Sequence, residues 1–159
     1  AAEIMDEPWS VFTLSIPGVP VSKARPRVVK GGRITYTPKE TREAQDDIGW
    51  LAKDAWGGKE PLEGPLRVEM TFYLPIPPSW RIKRRVAARQ GQLRPTGGAD
   101  WDNYGKLVSD ALGTRKNGPV IWRDDSQLVD VHVRKVFATG YEYSAMPDEP
   151  RTEVRVWVL

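Results

Sequence analysis

The sequence predicts an α+β fold in a single domain: a mixed, mostly antiparallel sheet with helices packed on one face. Three observations carry the prediction. Leu66, Val68, Met70, Phe72 and Leu74 alternate with less apolar neighbours. Val154, Val156 and Val158 do the same near the end of the chain, and a period of two marks strands buried on one side. Two other segments carry apolar residues at helical spacing and stop at glycine, as amphipathic helices do.

Residues 1–10 read as a disordered or expression-derived start, and residues 11–159 as the domain. Val11 to Ile16 alternates as a strand, closed by Pro17-Gly18-Val19-Pro20. Lys23 to Arg33 contains Pro26 and Gly31-Gly32, so it reads as a loop or irregular hairpin. Thr37-Pro38 resembles an N-cap followed by proline at the first helical position. The helix runs to about Trp56, with Ala44, Ile48, Leu51, Ala52 and Ala55 as its apolar face and Gly57-Gly58 as its stop. Leu66 to Leu74 is a strand, ended by Pro75-Ile76-Pro77-Pro78. Ser79 can cap a short basic helix over Trp80 to Arg89, and Gln90 to Ala99 is a loop. A further helix follows Asp102 to near Leu112, burying Leu107, Val108, Ala111 and Leu112, with Gly113 just past its end. Val120-Ile121-Trp122 reads as a short strand and Arg123 to Ser126 as a turn. Leu128 to Phe137 is a strand with Val129, Val131 and Val133 on one face, Tyr141 to Pro150 a mobile surface loop, and Thr152 to Leu159 the last strand.

Composition excludes several classes. No run approaches the roughly 20 apolar residues of a membrane helix, and no leader segment is recognisable. The chain has no cysteine and one histidine. That excludes disulfides and thiolate metal sites and fits a reducing cytoplasm. Net charge is only +3, but it is unevenly spread. Lys23, Arg25, Arg27, Lys30 and Arg33 form one acid-free cluster, and Arg81, Lys83, Arg84, Arg85, Arg89 and Arg94 form another. Either alone reads as a solvated loop. Together they hold 11 of the 24 cationic residues, and a polyanion, nucleic acid above all, is their natural partner.

The chemistry concentrates in Asp100-Trp101-Asp102-Asn103-Tyr104-Gly105-Lys106 and Arg123-Asp124-Asp125-Ser126-Gln127. Carboxylates this close repel and stay ionised together only around a cation. Hard oxygen donors without cysteine suit Mg²⁺, with Mn²⁺ as a substitute, rather than zinc. In extended backbone, residues i and i+2 share a side roughly 7 Å apart, so Asp100 and Asp102 can converge on one cation or bridge two. Asp102 can alternatively be the helix N-cap. Lys106, one turn beyond Asp102, can stabilise charge developing on a phosphate or orient the attacking water, or simply pair with Asp102 or Asp110 on the helix surface. Of Asp124 and Asp125, one is expected to be a ligand and the other to support it or face solvent. Asp110, Asp130 and His132 read as structural or surface residues. No serine–histidine or cysteine–histidine arrangement and no phosphate-binding glycine loop is present. The residues point to a metal-dependent phosphodiester enzyme.

At these residues the chain resembles the RusA family of Holliday junction resolvases, in its phage and prophage branch. The matching pieces are Asp100-x-Asp102-Asn103-x-x-Lys106, Asp110-Ala111-Leu112, Asp124-Asp125-Ser126-Gln127 and Lys135, with Lys23-x-Arg25-Pro26-Arg27 and Tyr36-Thr37-Pro38 upstream. The resemblance runs from about Val11 to Phe137. It implies a RusA-like mixed α+β endonuclease, homodimeric, that uses Mg²⁺ to resolve four-way DNA junctions by paired symmetric nicks during recombination and repair. It implies that Asp100, Asp102 and Asp125 are the catalytic, metal-binding carboxylates, that Lys106 is the catalytic lysine, and that Asp124 and Asp110 stand behind them. The basic residues Lys23, Arg25, Arg27, Lys30, Arg33, Arg81, Lys83, Arg84 and Arg85 are the expected DNA contacts. Trp80 or Trp101 can stack on bases at the crossover, although core packing is the commoner role for either. The alternatives are a flap or fork nuclease on the same scaffold and a non-catalytic junction-binding protein. Tyr104 and Gly105 stand where the family pattern has an aliphatic and then a polar residue, and glycine in a helix interior costs about 1 kcal/mol.

Overall fold

The computed structural model describes residues 9–23, 27–28, 35–36, 38–113, 118–138 and 149–159. Its strands are β1 (Phe12–Pro17), β2 (Arg27–Val28), β3 (Thr35–Tyr36), β4 (Leu66–Leu74), β5 (Leu128–Phe137) and β6 (Arg151–Val158). Its helices are α1 (Lys39–Trp56), α2 (Ile82–Arg89) and α3 (Trp101–Leu112), with one 3₁₀ turn over Asp125–Gln127. The main sheet runs β1-β6-β4-β5. β6 is antiparallel to both β1 and β4, while β5 runs parallel to β4 and forms an edge. β2 and β3 pair antiparallel as a separate two-stranded sheet, and residues 29–34 between them lie outside the described residues. The result is the mixed α+β sheet that the sequence predicts.

One face of the sheet makes the core. Along β4, Leu66, Val68, Met70, Phe72 and Leu74 are all buried and the residues between them are half-buried. Each fully buried side chain of this kind contributes roughly 1.5–3 kcal/mol. They pack with Phe12, Leu14 and Ile16 of β1 and Val154 and Val156 of β6. α1 lies against β1, α3 against β5, and the two helices pack on each other. Aromatic contacts tie the layers: Phe12 meets Trp56 edge-on at 5.5 Å, and Phe72 stacks on Tyr104 at 5.2 Å. On the opposite face Arg151, 8% exposed, lies 3.7 Å from the Tyr73 ring centroid and is paired with Glu153. Among the described residues, no helix is long and apolar enough to cross a membrane.

Several local expectations need correction. Pro38 is the N-cap of α1, not its first helical residue, and Thr37 lies outside the described residues. The buried stripe of α1 runs through Thr41, Ile48, Gly49, Ala52 and Trp56. Leu51 and Ala55 are exposed, because the helix meets the sheet along the i, i+4 row that ends on Trp56. α2 begins two residues later than expected, at Ile82, with Arg81 and not Ser79 at its N-cap. Val120-Ile121-Trp122 forms no strand, only a single parallel bridge between Leu62 and Trp122. In β5, the register with β4 shifts so that Leu66 faces Leu128 and Arg67 faces Asp130. Val129 is the extra residue of this bulge and is 61% exposed, Val131 is exposed as well, and of the three only Val133 is half-buried.

Candidate active site

α3 begins two residues earlier than the sequence suggests. Trp101 is already helical, and Asp100 occupies the N-cap in extended backbone. The Asn103 and Tyr104 amides both bond the Asp100 carbonyl. The Asp100 carboxylate makes no capping bond, so Asp102 stands in the first turn and is not the cap. Both carboxylates are exposed. From Asp102, the i, i+4 row places Lys106 and then Asp110 on the same side of the helix. Gly105 faces the sheet, where an added Cβ would meet Val133 at 3.6 Å and Met70 at 3.8 Å, ordinary contact distances.

Asp125 arrives from a different direction, on a turn held by side-chain hydrogen bonds. The Asp124 carboxylate accepts from the Ser126 amide at 2.8 Å, and the Gln127 side-chain oxygen accepts from the Asp124 and Arg123 amides at 2.9 and 2.8 Å. This is a capping box on the 3₁₀ turn. The Gln127 amide nitrogen donates to the Leu62 and Gly64 carbonyls, at 2.9 and 3.0 Å. The Ser126 hydrogen bonds hold the Asp124 carboxyl below its ordinary range. Of the acidic pair, Asp124 therefore shapes the turn and Asp125 faces α3.

The Asp125 carboxylate is held at both ends. Fully buried Trp122 donates its indole N–H to Asp125 Oδ1 at 2.9 Å. Lys106 Nζ stands 3.4 Å from Oδ2. Gly113 makes this possible by having no side chain, since a Cβ there would lie 2.1 Å from the Trp122 indole nitrogen and 2.9 Å from Asp125 Oδ1. The segment is stapled further by Ile121, whose amide bonds the Leu112 carbonyl and whose carbonyl accepts from Leu62.

Lys106 Nζ also meets Asp110 Oδ1 at 3.2 Å, and Lys23 Nζ pairs with the other Asp110 oxygen. Gln45 donates to that same oxygen at 3.5 Å. The site is thus a chain of alternating charge, Lys23–Asp110–Lys106–Asp125. Burial alone would push the Lys106 ammonium down. The hydrogen bonds and charges of Asp110 and Asp125 outweigh it and hold the group above its ordinary value. The sequence places Lys23 only among the DNA contacts. In the structure its ammonium is committed to Asp110, and its amide bonds the Asn103 carbonyl at 2.9 Å.

Lys135, from β5, donates to the Gly97 and Ala99 carbonyls at 3.3 and 2.9 Å. It fixes the segment that delivers Asp100. The roles of Trp122, Gly113 and Gln45 have no signal in the sequence, because each depends on a contact across the fold. The capping box does have one, an Asp followed three residues later by Gln.

The donors Asp100, Asp102 and Asp125 have the hard-oxygen chemistry of a Mg²⁺ or Mn²⁺ site. Among the described residues, however, no three acidic or histidine side chains stand close enough together to hold an ion. The Lys106 ammonium supplies the positive charge beside Asp125 in this arrangement.

The second basic cluster is partly a surface. Arg81, Lys83, Arg84, Arg89 and Arg94 are exposed, whereas Arg85 is half-buried with its Nε out of solvent. α2 has no acid in its first turn. Of the first cluster, Arg25, Lys30 and Arg33 lie outside the described residues, as does the side chain of Arg27. Trp101 is 60% exposed at the start of α3 and takes no part in the core, while Trp80 packs edge-on against Phe137 at 5.3 Å. Asp130 and His132 pair with each other on β5 at 2.9 Å, as surface residues do.

A family model described as endodeoxyribonuclease RusA matches residues 17–157. The chain is also 32% identical over 143 residues to the uncharacterized protein YqaN of Bacillus subtilis (strain 168), covering 87% of this chain and 90% of YqaN.

Proposed function

The chain belongs to the RusA family of endodeoxyribonucleases, and from that premise we propose that it resolves four-way DNA junctions by paired symmetric nicks, as a homodimer that depends on Mg²⁺. The observation that carries the reading is the meeting of α3 and the 3₁₀ turn, where Lys106 Nζ stands 3.4 Å from Asp125. Asp102 lies one helical turn before Lys106, and Asp100 heads the helix. Carboxylates on two separately stapled elements, with a lysine between them, suit attack on a phosphodiester.

In this reading Asp100, Asp102 and Asp125, which do not stand together in this arrangement, would converge on Mg²⁺ or Mn²⁺, which when bound would supply hydroxide at neutral pH and neutralise charge on the phosphate. Trp122 and Lys106 aim Asp125, and Lys135 aims the segment before Asp100. With Asp125 engaged by a cation, Lys106 would keep Asp110 as partner and would present its charge to the scissile phosphate. The cations of α2 contact backbone phosphates, which gives affinity without sequence information. Two-fold pairing of the chain would place one site on each of two opposed strands, matching the approximate symmetry of the junction.

A labelled synthetic four-way junction, a flap, a fork and a linear duplex, each incubated with Mg²⁺, Mn²⁺ or EDTA, test the proposal. Metal-dependent symmetric nicks in the four-way junction, with the duplex intact, are expected. Preferential cutting of flaps or forks would replace the substrate assignment, and binding without cutting under every metal would remove the catalytic one.

A further inference from the structure

A groove of about 750 Å³ opens beside the segment that delivers Asp100. Trp80, Phe137 and Leu93 give it apolar walls, and Gly97 and Gly98 line it next to Tyr104. That size and lining suit an organic ligand rather than a bare ion. Its polar groups are few and distinctive. Tyr104 is only 7% exposed, and among the described residues its hydroxyl makes no hydrogen bond. That hydroxyl is not sealed from solvent, so it is open to a hydrogen bond from whatever occupies the groove. Arg84 and Arg94 stand at the lining. Arg84 lies over the Trp80 ring, 3.7 Å from its centroid, and neither arginine has a carboxylate partner among the described residues.

An apolar aromatic groove with the hydroxyls of Tyr104 and Thr96 at its lining and two cations beside it matches a nucleotide: a flat base, a polar edge and flanking phosphates. The position fits too. Gly98 is two residues from Asp100, about 7 Å of extended chain, and Lys135 fixes that segment from β5.

We propose that this groove captures one unstacked nucleobase of the DNA strand being cut, packed against the apolar wall that Trp80 and Phe137 form, with the Tyr104 hydroxyl on its edge, and Arg84 and Arg94 on the neighbouring phosphates. The inference rests on the branched-DNA reading above and deepens it. Bases at the crossover are already partly unstacked, so their extrusion costs less than from a duplex. The groove would select junctions over linear DNA and bring the neighbouring phosphate to Asp100.

Photo-cross-linking tests it. 5-Iodouracil is placed singly at positions around the crossover of a four-way junction, and in a short single-stranded oligonucleotide. Each probe is bound to the full chain in EDTA, irradiated and mapped by peptide, with binding followed by mobility shift. Expected are cross-links to Trp80 or Phe137 from one junction position. Gly97→Phe should abolish them, because the Gly97 Cβ position faces open space and a ring there fills the groove. Trp80→Ala should weaken junction binding roughly tenfold while leaving linear duplex binding unchanged. Junction binding without cross-links in the groove, or cross-links indifferent to Gly97→Phe, overturns the inference and leaves the resolvase reading standing. Groove cross-links from the single strand in a protein that neither binds nor cuts junctions would retain the base pocket and overturn the resolvase. Failure to bind either DNA overturns both.

Discussion

At the residue scale, Lys106 is the hinge of the site, because its ammonium answers two carboxylates that would otherwise repel. Its pKa is held above 10.5, so it remains a full charge at any pH where DNA cleavage is measured. The folded-state value lies above the unfolded one. The stability it contributes is therefore complete below pH 10.5 and is lost as pH rises through the raised value. The side chain is 55% exposed, so that contribution is under about 1 kcal/mol. Denaturant unfolding of the wild type and Lys106→Met should differ by a small constant amount between about pH 6 and 9 and converge only in strong alkali. A gap that closes near neutral pH would contradict the raised value. Two glycines on the same helix have opposite roles. Gly105→Ala gains helix propensity and meets Val133 and Met70 at ordinary contact distance, so it should stabilise by up to about 1 kcal/mol. Gly113→Ala drives a methyl into Trp122 and Asp125. It should cost about 1–3 kcal/mol in a thermal melt and impair cleavage together.

At the scale of elements, α2 carries a cost that folding does not explain. It has no acid in its first turn and has Arg81, Lys83 and Arg84 at its start, where the helix dipole disfavours cations by roughly 0.3–1 kcal/mol each. Replacing Arg81 and Lys83 by glutamine, with Arg84 kept because it packs over Trp80, should leave the melting temperature unchanged or raise it. DNA affinity should fall, and the slope of log K on log salt should become shallower by roughly 0.9 for each phosphate that is no longer neutralised. A melting temperature that fell with affinity unchanged would make α2 a structural element. The strands and helices are mostly legible, since β4 and β6 obey a period of two and α1 and α3 end on glycine. The failures have physical causes. Leu51 and Ala55 fit a helical stripe as well as Trp56 does, and only the sheet's position decides between them. Val129 alternates correctly with Val131, and only the pairing with β4 shows that a bulge falls there.

At the scale of the whole molecule, the site exists because the fold brings distant pieces of chain together: Lys23, the row Asp102–Lys106–Asp110, and the turn that presents Asp125. Sequence can pick out the carboxylates and Lys106, because acids at i and i+2 followed by a lysine are unusual anywhere. It cannot show that Asp124 is spent on capping, that Lys23 is bound to Asp110, or that Trp122 holds Asp125. Those outcomes depend on Gly113 and on the contact of residues 121–122 with Leu62. The central claim is that Asp100, Asp102 and Asp125 form one catalytic centre for cutting branched DNA. Its most direct test is a four-way junction assay in Mg²⁺ that follows cleavage and binding for the wild type and for Asp100→Asn, Asp102→Asn and Asp125→Asn. Each substitution should abolish cutting while junction affinity is kept or increased, because a charge that repels phosphate has been removed. Undiminished cutting by any of the three would exclude that carboxylate from the centre, and undiminished cutting by all three would contradict the account.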